Sequence, residues 1–278
     1  MVKQKSGSTT AQFIKWTILN FRKMETVKKT LKISFSTQKG GVGKSTITTL
    51  LASLLHYRLG FNIVVLDCDF PQHSLSKMRE RDLKTVMQND YHKKAAMKQF
   101  QAINKKAYPI IRCRADEALD KALEYVQQST AHPDMIFFDL PGTANTKGVL
   151  TTLKAMDFIF SPLTADRFVV ESTLGFAKAF LQLPEIENAN KEQVFWLFWN
   201  QVDGREKTML YDAYQQVIGQ LGLSIMDTRI MDSKRFRKET DDTGNYIFRS
   251  SLLAAEPGLL KMTKMDLFVQ EFLKIVHS

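Results

Sequence analysis

The sequence predicts an α/β fold in which a mostly parallel sheet is flanked by helices, and three observations support this prediction. Apolar, β-branched segments alternate along the chain with segments of helical periodicity. Two of the apolar segments are nearly continuous, as expected for parallel strands that are covered on both faces, and each ends at an acidic residue. A glycine-rich loop separates the first predicted strand from the first predicted helix.

The order of the predicted elements follows from apolar spacing and from turn residues. The predicted strands are 31–35, 61–66, 108–113, 135–138, 158–160, 194–199 and 224–226, and the predicted helices are 47–59, 75–105, 115–128, 148–156, 171–182, 207–221 and 259–276. In the first helix, leucines recur at helical spacing and Gly60 stands where a helix commonly ends. No internal repeat or Pro/Gly-rich linker divides the chain, so we expect one domain over residues 30–278.

Residues 1–29 stand apart from that domain. They form a basic N-terminal extension that we expect to be disordered or to be a mis-started leader, because Met24 lies just before the first predicted strand. The short amphipathic run 13–19 offers an alternative, a helix that binds a membrane surface or a partner. The segment lacks the long apolar core of a signal peptide.

Composition restricts the class of protein and of partner. The chain has 278 residues, of which 44% are hydrophobic and 24% are charged, which is ordinary for a soluble protein with a full core. A net charge of +10 favours an acidic partner, either nucleic acid or an anionic membrane surface, although general solubility would also account for it. Two cysteines are too few for a disulfide framework, so a reducing cytoplasm fits best. We expect no stable membrane insertion, since no apolar run approaches roughly 20 residues.

The glycine-rich loop carries the clearest chemical signal. Its sequence is Lys39-Gly40-Gly41-Val42-Gly43-Lys44-Ser45-Thr46. Glycines allow backbone N–H groups to close around phosphate oxygens, and the N-terminus of the following helix favours an anion. In this pattern the lysine reaches the β- and γ-phosphates and the hydroxyl of Ser45 takes a Mg²⁺ position. A purely structural turn would not require the Lys-Ser-Thr that follows. The generic pattern nevertheless fails at its first position, which holds Gln38.

Acidic residues follow two predicted strands. Asp67 and Asp69 occupy alternate positions at the end of one strand, so their side chains point the same way and suit a metal and water site beside a triphosphate. A solvated loop is the alternative. Asp139 ends the strand 135–138 and could simply cap the next turn, but next to a phosphate loop we favour a Mg²⁺ role.

Gln38 replaces the first glycine of the generic pattern, and Lys39 is an added lysine before the remaining glycines. This combination is the deviant Walker A form, and at these residues the chain resembles the ParA/MinD family of P-loop ATPases. The resemblance implies a doubly wound parallel sheet and a homodimer that encloses two ATP molecules. It implies that Lys39 reaches the nucleotide of the other subunit, where a second cation would stabilise the transferring phosphoryl group as an arginine finger does. The implied nucleotide contacts are Gly40, Gly41, Val42, Gly43, Lys44, Ser45, Thr46 and Asn200.

Three further motifs extend the resemblance. The stretch Asp67-Cys68-Asp69-Phe70-Pro71-Gln72 resembles the family's Asp-x-Asp-Pro-Gln, with Phe70 as an insertion. It implies that Asp69 orients or activates the attacking water and that Asp67 supports the Mg²⁺ shell. Asp139-Leu140-Pro141-Gly142 matches the Walker B acid, which implies water-bridged Mg²⁺ and the start of a nucleotide-sensing switch. Asn200 directly follows a strand, where family members place an asparagine that reads adenine. The implied catalytic residues are Lys39, Lys44 and Asp69.

The amino-acid sequence of these motifs looks closest to that of ParA-like proteins of Bacteroidetes conjugative transposons, often called TraA. The resemblance implies slow, partner-stimulated hydrolysis of ATP, a ParB-like or transfer-apparatus partner, and a place in the cytoplasm on DNA. It also implies non-specific DNA binding through basic residues of the C-terminal half. The candidates are Arg229, Lys234, Arg235, Arg237 and Lys238, with Arg205 and Lys207 upstream. Basic runs are also common on solvated faces.

The main alternative is a MinD-like switch on a membrane surface, for which the last predicted helix would be the anchor. Its apolar positions recur at helical spacing, but Lys264 and Glu271 fall within the same face, so we interpret it as core packing. A relative of the nitrogenase iron protein is disfavoured by the cysteine count. The presence of both Lys44 and Asp69 disfavours a structural or adaptor protein whose nucleotide site is catalytically inactive.

Overall fold

The computed structural model describes residues 29–142, 147–187, 195–205, 208–238, 240 and 246–277. Within them, one sheet contains seven strands, all parallel, in the order β3-β2-β4-β1-β5-β6-β7. The strands are β1 Leu31–Phe35, β2 Ile63–Asp67, β3 Ile110–Arg112, β4 Met135–Asp139, β5 Phe158–Leu163, β6 Phe195–Trp199 and β7 Ser224–Ile225. Every predicted strand is present, which confirms the fold class. The predicted extension falls almost entirely in residues 1–28, outside the described residues.

The helices connect the strands in the expected alternation. They are α1 Lys44–Tyr57, α2 Ser74–Gln88, α3 Asp90–Ile103, α4 Ala118–Gln128, α5 Val149–Lys154, α6 Arg167–Leu181, α7 Pro184–Glu187, α8 Thr208–Gln220, a 3₁₀ helix Lys234–Arg237, α9 Pro257–Met262 and α10 Met265–Val276. The short α7 and the 3₁₀ helix were not predicted.

Two predicted helices are each divided in the structure. The segment 75–105 breaks at Asn89, whose side chain accepts hydrogen bonds from the backbone N–H groups of Tyr91 and His92 and so caps a new helix. The segment 259–276 breaks at Lys264, which has a φ of 59° in the left-handed region. The prediction of a single last helix was therefore wrong, because a left-handed residue interrupts the apolar periodicity.

Side-chain alternation explains why the strands are apolar on both faces. Val65 and Phe137 point into a core formed with α1 and α10, whereas their neighbours Leu66 and Phe138 point into a second core formed with α5, α6 and α8. Both cores are buried, and the sheet lies between two layers of helices. This arrangement is the doubly wound architecture that the resemblance implied.

The apolar face of α10 packs into the first of these cores. Phe268 and Phe272 are fully buried, with ring centroids 4.9 Å from Phe198 and 5.0 Å from Phe160 respectively. Leu267, an apolar residue of the same helix, is instead 48% exposed. The interpretation of this segment as core packing is confirmed. None of the helices in the described ranges has both the length and the apolar character that spanning a bilayer requires.

The strand order places the predicted motifs at one edge of the sheet. β1 lies between β4 and β5, and the glycine-rich loop leaves its carboxyl end. Asp67 ends β2, Asp139 ends β4, and the two residues are direct partners in the register of these neighbouring strands. Ligands of open parallel sheets bind outside the carboxyl ends of the strands, where the chain order reverses. The fold therefore brings three separate motifs to a common edge.

Candidate functional site

The glycine-rich loop is fixed in shape by its own backbone and by the end of β6. Gly43 has a φ of 95°, in the left-handed region that favours glycine. A Cβ at this position would lie 2.6 Å from Nδ2 of Asn200. That amide donates a hydrogen bond to the carbonyl of Val42 at 2.8 Å, and Nε2 of Gln201 donates to the carbonyl of Gly41 at 3.0 Å. Hydrogen bonds from Asn200 and Gln201 thus fix the backbone of the loop just before α1 begins.

Ser45 and Asp139 join the loop to the end of β4. The Ser45 hydroxyl donates to Oδ2 of Asp139 at 2.8 Å. Burial raises the pKa of Asp139 to about 7, and the charges of Asp67 and Asp69 act in the same direction against the Ser45 hydrogen bond and Lys44. Burial lowers the pKa of Lys44, while Asp139 and Asp69 oppose that shift. The structure therefore brings Lys44, Ser45, Asp69 and Asp139 into one electrostatically coupled cluster.

Two buried carboxylate oxygens at this edge of the sheet, one on Asp67 and one on Asp139, are suited to a cation. Asp67 is fully buried, and its Oδ2 accepts a hydrogen bond from the backbone N–H of Ser76 at 2.7 Å. Oδ1 of Asp67 and Oδ1 of Asp139 are buried without a hydrogen-bond partner among the described residues. An unsatisfied buried acceptor is costly, and Mg²⁺ is commonly bound by one or two carboxylates plus substrate phosphates. The residues present fit Mg²⁺ beside Ser45, Asp67 and Asp139.

The loop that follows β2 carries Asp69 and the inserted Phe70. Asp69 is half-buried, and its carbonyl accepts a hydrogen bond from the backbone N–H of His73 at 2.8 Å. Phe70 is 59% exposed, so the insertion projects outward. Cys68, between the two acids, has its Sγ 3.5 Å from Sγ of Cys113. This contact and burial raise the pKa of the Cys68 thiol, which keeps it neutral beside the carboxylates.

A cavity of about 320 Å³ opens beside the loop. It is lined by Gly43, Thr46 and Asn200. Phe236, Arg237 and Arg249 also line it, and sequence analysis did not assign these three residues to this site. Gln201 could have been inferred from its place beside Asn200. Arg249 could not, since it lies in an irregular segment without a motif.

The predicted DNA-binding residues do not form one surface. Lys234, Arg235 and Arg237 share the 3₁₀ helix, where all three are exposed, and Lys238 follows directly. Arg229 is largely withdrawn from solvent, with its side chain 21% exposed, and donates to Asp212 and to Gln215. Upstream, Arg205 pairs with Asp203. Lys207 lies outside the described residues. The geometry therefore groups four of the candidates and separates Arg229 from them.

Residues 33–243 match the family model for the CobQ/CobB/MinD/ParA nucleotide-binding domain. The chain belongs to this family. The match covers more than half of the sequence and includes the glycine-rich loop, both acidic motifs and Asn200. The matched domain is a nucleotide-binding domain. The individual roles of Lys39, Asp67, Asp69, Asp139 and Asn200 stay predictions.

Solved structures of family members share the fold at low identity. A putative plasmid partition protein from Borrelia burgdorferi B31 bound to AMPPNP has a TM-score of 0.55 and 18% identity, over 88% of this chain and 99% of that one. Cobyrinic acid a,c-diamide synthase from Mycobacterium smegmatis, with an ATP analogue and magnesium, gives 0.54 and 17%, over 88% and 95%. The Aquifex aeolicus MinC:MinD complex gives 0.51 and 18%, over 77% and 85%. Among curated proteins, no sequence matches this chain.

The glycine geometry predicts a sharp difference between two neighbouring substitutions. Gly43→Ala should lower the free energy of unfolding by about 1–3 kcal/mol, because the new Cβ meets Asn200 and the backbone is left-handed. Gly40→Ala is the control: no atom lies within 4 Å of the place its Cβ would take and its φ is outside the left-handed region, so we expect a change within about 0.5 kcal/mol. Urea unfolding without nucleotide measures both. Equal losses of stability would contradict the described loop.

Proposed function

We propose that this chain is an ATP-driven dimerising switch that binds DNA without sequence preference and serves DNA partition or conjugative transfer of a mobile element. ATP would bind across the glycine-rich loop, with Lys44 at the β- and γ-phosphates and Mg²⁺ near Ser45, Asp67 and Asp139. Asp69 would direct water at the γ-phosphate and yield ADP and phosphate. The AMPPNP and the ATP analogue with magnesium in the structural relatives support this choice of ligands.

One observation carries the link between nucleotide and DNA. Phe236 and Arg237 line the cavity beside the glycine-rich loop, which we take to hold the adenine and ribose. Both belong to the same 3₁₀ helix as Lys234 and Arg235, whose side chains are exposed to solvent. Filling the cavity would therefore restrain the turn that carries the basic side chains. A ligand shifts such an equilibrium by its differential affinity for the two states.

Dimerisation would complete both activities. Lys39 is exposed beside the glycine loop and makes no ion pair with any described residue, so it is available to a second subunit. In the partner's site it would add positive charge at the γ-phosphate. A dimer would also present two basic turns, doubling the phosphate contacts and the salt-sensitive part of the DNA affinity.

The cellular role rests on the nature of the relatives and of the motifs. A plasmid partition protein among the structural relatives is compatible with a role in DNA partition. The TraA-like sequence of the motifs favours a role in conjugative transfer. Either role would place the protein on DNA in the cytoplasm, with a ParB-like or transfer-apparatus protein as the trigger of hydrolysis. A MinD-like membrane switch is disfavoured because the apolar face of α10 is already used in the core.

Two substitutions should separate binding from hydrolysis. Lys44→Ala should abolish ATP binding, since it removes the cation that faces the phosphates. Asp69→Ala should bind ATP and remain dimeric but fail to turn it over. Lys178→Ala, an exposed lysine on α6, is the control and should behave as the unchanged protein. Equilibrium binding of a fluorescent ATP analogue and phosphate release provide the measurements. Full turnover by Asp69→Ala would refute the assigned role.

DNA binding should require ATP and should depend on the basic turn. The double variant Lys234→Glu, Lys238→Glu should weaken binding to any duplex sequence and reduce the slope of log affinity against log salt by about 1 for each phosphate interaction removed. Lys261→Glu, Lys274→Glu makes the same change in net charge on exposed positions of α9 and α10 and is the matched control. Fluorescence anisotropy across a salt series tests both. Affinity that is indifferent to ATP, or equal weakening in both variants, would count against the proposal.

A further inference from the structure

The exposed face of α2 carries a basic stripe. Lys77, Arg81 and Lys84 follow one another at intervals of four and three residues, so they share one side of the helix. All three residues are exposed to solvent. Seven residues of α-helix span about 10 Å, so the stripe is a linear array of positive charge along the helix axis.

An open groove runs along this stripe. The described residues that line it are Gln72, Ser74, Lys77, Glu80, Arg81 and Lys84. Every one of these side chains is polar or charged. Leu83 and Met87, which are exposed on the same helix, do not line the groove. The groove therefore offers positive charge and hydrogen-bond donors, and no apolar surface from the described residues.

The groove stays positive when its acidic residue is counted. Glu80 forms an ion pair with Arg112, which neutralises the carboxylate. Arg81 takes part in a further interaction within the chain. Lys77 and Lys84 form no ion pair with any described residue, and both side chains reach the groove. The two lysines are therefore the residues on which an external anion would act.

The inner side of α2 holds the stripe in place. The backbone N–H of Ser76 donates a hydrogen bond to Oδ2 of Asp67 at 2.7 Å, which ties the first turn of α2 to the end of β2. Nη1 of Arg79 donates to the carbonyl of Tyr108 at 2.9 Å. Because α2 is fixed by these bonds, a ligand on its outer face would not have to order the backbone that carries the lysines.

α2 lies on the same side of the sheet as the basic 3₁₀ helix. Met78 of α2 and Phe236 of the 3₁₀ helix are buried in the same core, the one formed with α1 and α10. The two basic elements therefore belong to one layer of the molecule, and a long polyanion on that layer has two places to bind.

We propose that the groove along α2 binds the sugar-phosphate backbone of DNA and forms a second DNA-contacting surface in addition to the 3₁₀ helix. This inference rests on the proposed function, because it takes DNA as the ligand. Phosphates of one DNA strand advance by about 3.4 Å along the duplex, so the distance of about 10 Å between Lys77 and Lys84 along α2 covers about three of them. A lipid surface fits less well, since a helix that lies on a membrane needs apolar side chains beside its basic ones.

DNA affinity across a salt series tests the groove. Fluorescence anisotropy in ATP should show that Lys77→Gln, Lys84→Gln reduces the slope of log affinity against log salt by about 1.8, which is about 0.9 for each phosphate contact removed. Lys77→Arg, Lys84→Arg keeps both charges and should keep the slope. Lys261→Gln, Lys274→Gln removes the same net charge from exposed positions of α9 and α10 and is the matched control.

The thermal midpoint and the ATP affinity of Lys77→Gln, Lys84→Gln should match those of the unchanged chain, since both side chains are exposed. A slope equal to that of the unchanged chain, or an equal reduction in the control, would overturn the groove as a DNA surface. Binding to vesicles of phosphatidylcholine and phosphatidylserine that this variant loses would assign the groove to lipid and would also overturn it. ATP-independent DNA binding by the unchanged chain would refute the switch but not the groove, and no DNA binding would refute both.

Discussion

The hydrogen bond between Ser45 and Asp139 joins the first turn of α1 to the end of β4, and the rest of the site is arranged around it. It places a buried acid, a hydroxyl and Lys44 within one water-poor edge of the sheet. Parallel strands bring Asp67 to the same level, where its Oδ1 has no hydrogen-bond partner among the described residues. Without a cation and phosphates, this edge holds carboxylates that are costly to ionise, as the raised pKa of Asp139 indicates. The fold therefore forms a site whose charges a bound cation and phosphates would balance.

The cavity beside the glycine-rich loop and the exposed basic side chains share one structural element, the 3₁₀ helix. The cavity beside the loop is closed by parts of the chain that lie more than 150 residues from it in sequence, namely Asn200, the 3₁₀ helix and Arg249. Of these, the 3₁₀ helix also presents Lys234 and Arg235 to solvent. Phe236 of the same turn is buried in the core. One short turn therefore both lines the cavity and carries exposed basic side chains.

Most of the fold could be predicted from short sequence patterns, namely apolar strands and a contiguous loop motif. The strands were predictable because both of their faces are apolar, and the loop was predictable because glycines and Lys-Ser-Thr are contiguous. The divisions at Asn89 and Lys264 were missed, since caps and left-handed residues compete with apolar periodicity at single positions. The contact of Arg249 with Thr46 and the pairing of Arg229 with Asp212 depend on tertiary packing. No spacing in the sequence encodes them.

We propose that Lys39 of a second copy completes each nucleotide site. The decisive experiment mixes two variants that should be inactive alone, Lys39→Ala and Asp69→Ala, and measures phosphate release. In a mixed dimer, the subunit with Lys39→Ala keeps Asp69 and receives the intact lysine of the other subunit, so one site is whole. We expect the mixture to regain part of the ATPase activity that neither variant has alone. A mixture that forms mixed dimers with ATP and yet stays inactive would contradict the claim.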